Sequence, residues 1–214
     1  MSDRLTPGKI VCVGRNYVGH ASELGNTVPE EPLIFFKPPS SVIAGGEAVS
    51  VPPDAGRVDF EGEIGVVIGS RCSRVAEADA WNYVSGVVAV NDVTARELQR
   101  KDDQWTRAKG MDTFCPIGNV VPVEDVDTDA LTVVTKVNGE ERQRGEAREM
   151  AFSIPHVVSY ISHFITLEPG DLVATGTPEG IGPIQPGDVV TVELNCGSAV
   201  TSPVEAGPPV MLGA

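Results

Sequence analysis

The sequence predicts a β-rich α+β fold. Short β-branched and apolar runs recur along most of the chain, helical stripes are few, and strands and helices do not alternate as in a βαβ array. The 214 residues fit one domain, 1–214, and a hydrophobic content of 41% can fill a core without a disulfide or metal staple.

The elements follow from local patterns. Lys9-Ile10-Val11-Cys12-Val13 reads as a first strand stopped by Gly14, after which Asn16 is expected to cap a short helix through His20, Glu23 and Leu24. Leu33-Ile34-Phe35-Phe36 is a second strand, halted by Lys37-Pro38-Pro39. Ile64-Gly65-Val66-Val67-Ile68 is short, β-branched and closed by Gly69-Ser70, the signature of a buried strand. Val87-Val88-Ala89-Val90-Asn91 is a matching run that ends in Asp92. Ala76 to Tyr83 and Val93 to Arg100 read as short helices. Thr132 to Val137, Asn138-Gly139 and Glu140 to Gln143 form a hairpin, because Asn-Gly supplies the positive φ of a tight turn. Ser153-Ile154-Pro155 opens the best helix, with a stripe at Val158, Ile161 and Ile165. Two Pro-Gly-Asp turns launch strands Leu172 to Ala174 and Val189 to Leu194. The glycine-rich loop between them, Thr175 to Gly182, lacks the Gly-Lys-Ser/Thr ending of a phosphate loop.

Charge narrows the function. A formal charge of −14 argues against nucleic acid and against an anionic membrane surface as partners. No segment approaches the length of a membrane span, and the N-terminus shows no apolar signal region, so a cytoplasmic location is expected. Cys12, Cys72, Cys115 and Cys196 have no Cys-x-x-Cys spacing and read as reduced structural residues.

Asp59-Phe60-Glu61-Gly62-Glu63 runs straight into the strand Ile64 to Ile68. Alternation sends Glu61 and Glu63 to one face and Phe60, Ile64, Val66 and Ile68 to the other. With Asp92 at the mouth of the neighbouring run, three carboxylates suit a hard divalent cation, Mg²⁺ or Mn²⁺ rather than Zn²⁺. The bland alternative places Glu61 and Glu63 on the wet face of an ordinary strand. His20 and Glu23 stand three residues apart, the spacing of an activated general base or of a plain surface pair. His156 and His163 read as ordinary helix positions.

Gly14-Arg15-Asn16-Tyr17, His20-x-x-Glu23, Phe36-Lys37-Pro38, Glu61-x-Glu63, Asp92-x-Thr94-Ala95-Arg96, Trp105-Thr106-x-Ala108-Lys109 and Thr175-Gly176-Thr177-Pro178 occur in that order. Together they resemble the fumarylacetoacetate hydrolase family, in its short branch with acylpyruvate and fumarylpyruvate hydrolases. The resemblance implies a mixed β-sandwich roll, usually a homodimer. It implies Glu61, Glu63 and Asp92 as metal ligands, Lys109 as the oxyanion-stabilising lysine, and His20 with Glu23 as the water-activating pair. Arg96, Gln99 and Thr177 fall on positions that hold the carboxylate or oxo group of a small anionic 2-oxo acid. Lys37 is left open between a structural cation and a site residue.

The function implied is Mg²⁺-dependent (or Mn²⁺-dependent) hydrolysis of a carbon–carbon bond in a 2,4-dioxo acid. Oxaloacetate decarboxylation or isomerisation of a 2-hydroxydienedioate is the alternative within the family. A metal-stabilised binding protein without turnover is the alternative from another class. The segment from Gly19 to about Glu30, rich in glycine and poor in apolar weight, is expected to act as a lid.

Overall fold

The computed structural model describes residues 5–23, 25 and 27–210. The β-rich α+β expectation holds. A mixed eight-stranded sheet runs in the order Leu33–Lys37, Ile10–Gly14, Leu172–Ala174, Gly62–Ile68, Val84–Asn91, Cys115–Ile117, Val42–Ala44, with Val121–Pro122 also paired to Val84–Asn91. A five-stranded sheet follows the order Glu140–Glu146, Thr132–Val137, Val189–Leu194, Ala199–Ala206, Val49–Val51. Gly182–Pro183, Val58–Phe60 and Thr94–Ala95 make a third, small sheet.

Successive side chains of the central strands enter two apolar layers. Val11, Val13, Ile64, Val66 and Val87 cluster with Val133, Val192 and Leu194 of the five-stranded sheet. Ile10, Cys12, Val67, Val88 and Val90 form the layer behind them with Cys115 and Leu172. Burial on both faces explains why these strands read as unbroken apolar runs. Each fully buried Val, Leu or Ile contributes about 1.5–3 kcal/mol through lost hydration. All four cysteines are free thiols. Among the described residues no helix is long and apolar enough to cross a membrane.

Glu61 is the single residue between Val58–Phe60 of the small sheet and Gly62–Ile68 of the large one. This switch of sheets corrects the simple alternation. Phe60 packs with Val58, Val93 and Phe114, in a different cluster from Ile64, Val66 and Ile68. Gly62 follows because the two larger sheets nearly touch there: a Cβ would run into Thr135 Oγ1 and come 3.3 Å from Val192.

The turn chemistry was read correctly at Asn138 (φ 54°) and Gly139 (φ 82°), the two positive-φ residues of a tight hairpin. Helix α1 spans Val18–Glu23, α2 Arg96–Lys101, α3 Thr106–Lys109 and α4 Ile154–Phe164. Ser153 caps α4, its hydroxyl accepting from the His156 N–H at 3.2 Å, while Ile165 lies one residue past the helix. Glu77–Tyr83 is a 3₁₀ helix. The helix expected from Val93 starts only at Arg96, because Thr94 and Ala95 pair with Asp59 and Val58 as a short strand.

Asn16 is not a helix cap. Its Nδ2 donates to the carbonyls of Phe152 (3.0 Å) and Thr175 (2.8 Å), and its Oδ1 accepts from the Phe152 N–H at 2.8 Å. The buried amide therefore ties the exit of the first strand to the start of α4 and to the glycine-rich loop. Asn16→Ala leaves these backbone groups unpaired in a dry site. A loss of about 2–4 kcal/mol in unfolding free energy is expected, read as a lower urea midpoint at unchanged slope. A loss under about 0.5 kcal/mol would mean that water replaces the amide.

Candidate active site

Three carboxylates meet where the chain switches sheets. Gly62 is paired with Asn91, which brings Glu61 beside Asp92 on the adjoining strand. The Asp92 N–H donates to the Glu61 carbonyl at 2.7 Å, and the Glu61 N–H donates to Asn91 Oδ1 at 3.0 Å. One carboxylate oxygen each from Glu61, Glu63 and Asp92 lies within 4.8 Å of the others. Glu61 is 4% exposed, Glu63 1% and Asp92 0%, so the wet-face reading is excluded.

Buried cations surround them. Lys37 Nζ donates to Asp92 Oδ1 at 2.7 Å, to the Val93 carbonyl at 3.3 Å and to the Lys109 carbonyl. These contacts make it a structural cation that braces Asp92. Lys109 Nζ lies 2.7 Å from Glu61 Oε2 and 2.5 Å from Asp92 Oδ2, with the Phe35 ring centroid at 5.0 Å. Arg96 donates to Asp59 Oδ2 at 2.8 Å and to Gln99 Oε1 at 2.9 Å, and pairs with Glu61 Oε1 at 2.6 Å. Arg57 holds the other side of Asp59, at 2.7 and 3.1 Å.

The carboxylates are tuned apart. Burial works against the charge of Glu61, but Lys109 and Arg96 outweigh it and hold its pKa far below the usual range. Glu63 goes the other way: burial and then the charges of Asp92 and Glu61 push its pKa well up, against only partial relief from Lys109 and the Gly176 N–H. That N–H donates to Glu63 Oε2 at 2.9 Å. Gly176 adopts φ 104°, where a Cβ would also press on Asn16.

Three hard, converging oxygen donors with uncompensated repulsion at Glu63 fit Mg²⁺ or Mn²⁺. Asp59, Glu61 and Asp92 are paired with Arg57, Arg96, Lys37 and Lys109, while Glu63 has no ion-pair partner among the described residues. A divalent ion would then add positive charge to a pocket whose wall also carries Arg15 and Arg100.

A cavity of about 310 Å³ opens over the triad, lined by His20, Arg96, Gln99, Lys109 and Thr177 with the carboxylates. His20 on α1 is buried, and its Nδ1 stands 3.7 Å from Glu23 Oε2, longer than a hydrogen bond. Burial, with Arg96 and Lys109 nearby, lowers the imidazole pKa despite the opposing charge of Glu61. Glu23 instead accepts from the Gly180 N–H at 3.2 and 3.3 Å. Of the expected lid, Leu24 and Asn26 lie outside the described residues, and α1 is docked on the glycine-rich loop through this contact. Gln99 meets Arg96. The Thr177 hydroxyl donates to the Gly62 carbonyl at 2.8 Å and accepts from Gln143 Nε2 at 2.7 Å, so its contacts are with the sheet.

Some residues of the site escaped the sequence reading. Gln143 is buried and links the Gly62 N–H (3.0 Å), Thr177 and the Pro178 carbonyl (2.8 Å). A glutamine among the charged residues Glu140, Glu141, Arg142 and Arg144 was its only signal. Arg15, Arg100, Phe35 and Trp105 also line the cavity. Phe35 and Trp105 meet edge to face, centroids 5.2 Å apart.

Comparison with known proteins identifies the family. The model of the fumarylacetoacetate (FAA) hydrolase C-terminal family matches residues 9–205. The chain belongs to the fumarylacetoacetate hydrolase family. It is 46% identical over 202 residues to the mitochondrial oxaloacetate tautomerase FAHD1 of Arabidopsis thaliana, covering 92% of this chain and 91% of that protein. The crystal structure of 5-carboxymethyl-2-hydroxymuconate delta-isomerase from Mycobacterium smegmatis superposes with a TM-score of 0.87 at 42% identity, over 94% of this chain and 80% of that one. Fumarylpyruvate hydrolase from Pseudomonas aeruginosa, solved with Mn²⁺ and pyruvate, gives 0.88 at 30% identity, over 94% and 90%.

The raised pKa of Glu63 has a measurable consequence. Its ionised form opposes folding, so the stability present at low pH is lost as pH rises through the raised pKa. Below that raised pKa, Mn²⁺ binding should therefore release a proton, seen by calorimetry in buffers of differing ionisation heat. Glu63→Gln should abolish that release, weaken Mn²⁺ by more than about tenfold, and remove the loss of stability with rising pH in the metal-free protein. Equal proton release from both proteins would place the titrating group elsewhere.

Proposed function

We propose that this protein catalyses metal-dependent proton transfer at C3 of a 2-oxo dicarboxylic acid of the oxaloacetate class, interconverting its keto and enol forms. The observation that carries this reading is His20: a buried imidazole with an unpartnered Nδ1, in the same cavity as the three carboxylates. A divalent ion held by Glu61, Glu63 and Asp92 would polarise the 2-oxo group and stabilise the negative charge that develops on its oxygen. His20, kept neutral near pH 7 by burial, takes the C3 proton and returns it to the oxygen at C2. Lys109 adds fixed positive charge beside that oxygen, and Arg96 holds Glu61 in place. The cations that line the cavity suit an anionic substrate. The similarity to the Arabidopsis tautomerase, nearly end to end on both chains, supports the same reading.

Hydrolysis of an acylpyruvate is the second reading, and the 3.7 Å approach of Glu23 to His20 favours it. Water attack needs a base oriented by a partner, and such contacts often tighten only when substrate binds. Proton transfer to and from carbon needs the imidazole alone. Glu23→Gln should therefore cut hydrolysis of acetylpyruvate or fumarylpyruvate while sparing tautomerisation of oxaloacetate.

The decisive measurement follows the enol absorbance of oxaloacetate with Mn²⁺ or Mg²⁺ and after chelation. His20→Asn should lose about 10²–10⁴ in kcat while binding oxalate as the wild type does. Wild-type activity should hold at pH 7 and fall only below the ordinary imidazole range, because the base must be neutral and its pKa is lowered. Full tautomerisation by His20→Asn, or turnover of acylpyruvates alone by the wild type, would overturn the proposal.

A further inference from the structure

The cavity holds two cations without a carboxylate partner. Lys109 and Arg96 are each paired with Glu61, and with Asp92 or Asp59 as well. Arg15 and Arg100 line the same cavity and make no ion pair among the described residues. In a chain of net charge −14, unpaired cations at a pocket wall are conspicuous.

Arg15 is also strained. Its φ of 59° lies in the left-handed region, which a non-glycine residue with a long side chain seldom adopts. Both neighbours impose it. Gly14 ends the first strand, paired with Leu33, and stands so close to Trp105 that a Cβ would meet the ring at 2.9 and 3.2 Å. Asn16 is buried and fixed by its hydrogen bonds to Phe152 and Thr175. The chain must turn between these two anchors, and that turn leaves Arg15 half-buried on the cavity wall.

We propose that Arg15, with Arg100 as a second and more exposed charge, binds the distal carboxylate of the substrate and sets a preference for dicarboxylic over monocarboxylic 2-oxo acids. The assignment rests on the functional reading above for its substrate class. Its physics is simpler: a planar guanidinium with free donors, held on a rigid backbone, makes a bidentate carboxylate site. The carboxylate next to the 2-oxo group belongs at the metal end of the cavity, which leaves Arg15 for the far end.

The test uses stable ligands, so it does not depend on turnover. L-malate is L-lactate with the distal carboxylate added, and oxalate has no distal group. Their affinities for the Mn²⁺-loaded protein are measured by calorimetry in the wild type, Arg15→Gln and Arg15→Lys. Wild type should prefer malate over lactate by about tenfold or more, the worth of one charge-assisted pair. Arg15→Gln should lose most of that preference with oxalate affinity unchanged within about twofold, and Arg15→Lys should regain part of it. A malate preference absent from the wild type, or retained in Arg15→Gln, overturns the assignment. So does an equal loss for oxalate, which would mark a general effect on the site. If the malate preference follows Arg15 but oxaloacetate is not tautomerised, the functional reading fails and the subsite stands.

Discussion

Opposite charges buried in contact govern this structure, because an isolated carboxylate or ammonium in a dry interior is untenable. The idealised transfer cost is on the order of 20 kcal/mol per ion, and several kcal/mol survive relaxation. Here Lys37, Asp92, Lys109, Glu61, Arg96 and Asp59 form one continuous chain of contacts. Each member is hydrogen-bonded or paired on more than one side, which is the condition for such a network to persist. The strands are placed so that this chain closes. Glu61 occupies the one-residue step between two sheets, and Asp92 leaves its strand beside it through paired backbone hydrogen bonds. Removing one partner leaves the others charged and unmatched, so the network is rigid and intolerant of change.

That rigidity divides labour within the pocket. The triad and its cations are fixed by sheet register, whereas His20 rides on a six-residue helix docked to the glycine-rich loop. Glu23 makes that docking contact and stands 3.7 Å from the histidine on the same helix. The same carboxylate thus couples the position of the base to the loop that also supplies the Gly176 N–H to Glu63.

The central strands and the carboxylates were legible in the sequence because their signals are local. An apolar run between glycines, a carboxylate at its mouth and an Asn-Gly turn each declare themselves within a few residues. Interactions across the chain were not legible. Asn16 looked like a cap, but its partners lie 136 and 159 positions away. Lys37 stayed ambiguous because its carboxylate is 55 residues downstream. Gln143 was invisible for the same reason, its contacts being made 34 and 81 residues back and forth. The His20–Glu23 spacing was visible, yet the hydrogen bond it suggests yields to a backbone N–H 157 residues away. The sheet switch at Glu61 misled the face count at Phe60, since alternation holds only within one sheet.

The ion pairs built into the site bear on the order in which the molecule is assembled. In small zinc domains the ligands repel one another until metal arrives, so the ion is a condition of folding. Here Glu61 and Asp92 already have lysine and arginine partners, Glu63 has the Gly176 N–H, and a hydrophobic sandwich surrounds them, so the chain can reach its native shape first. A divalent ion would then be a late, exchangeable component. Three hard oxygen donors would set its identity, and its loss would silence the site without dismantling the protein.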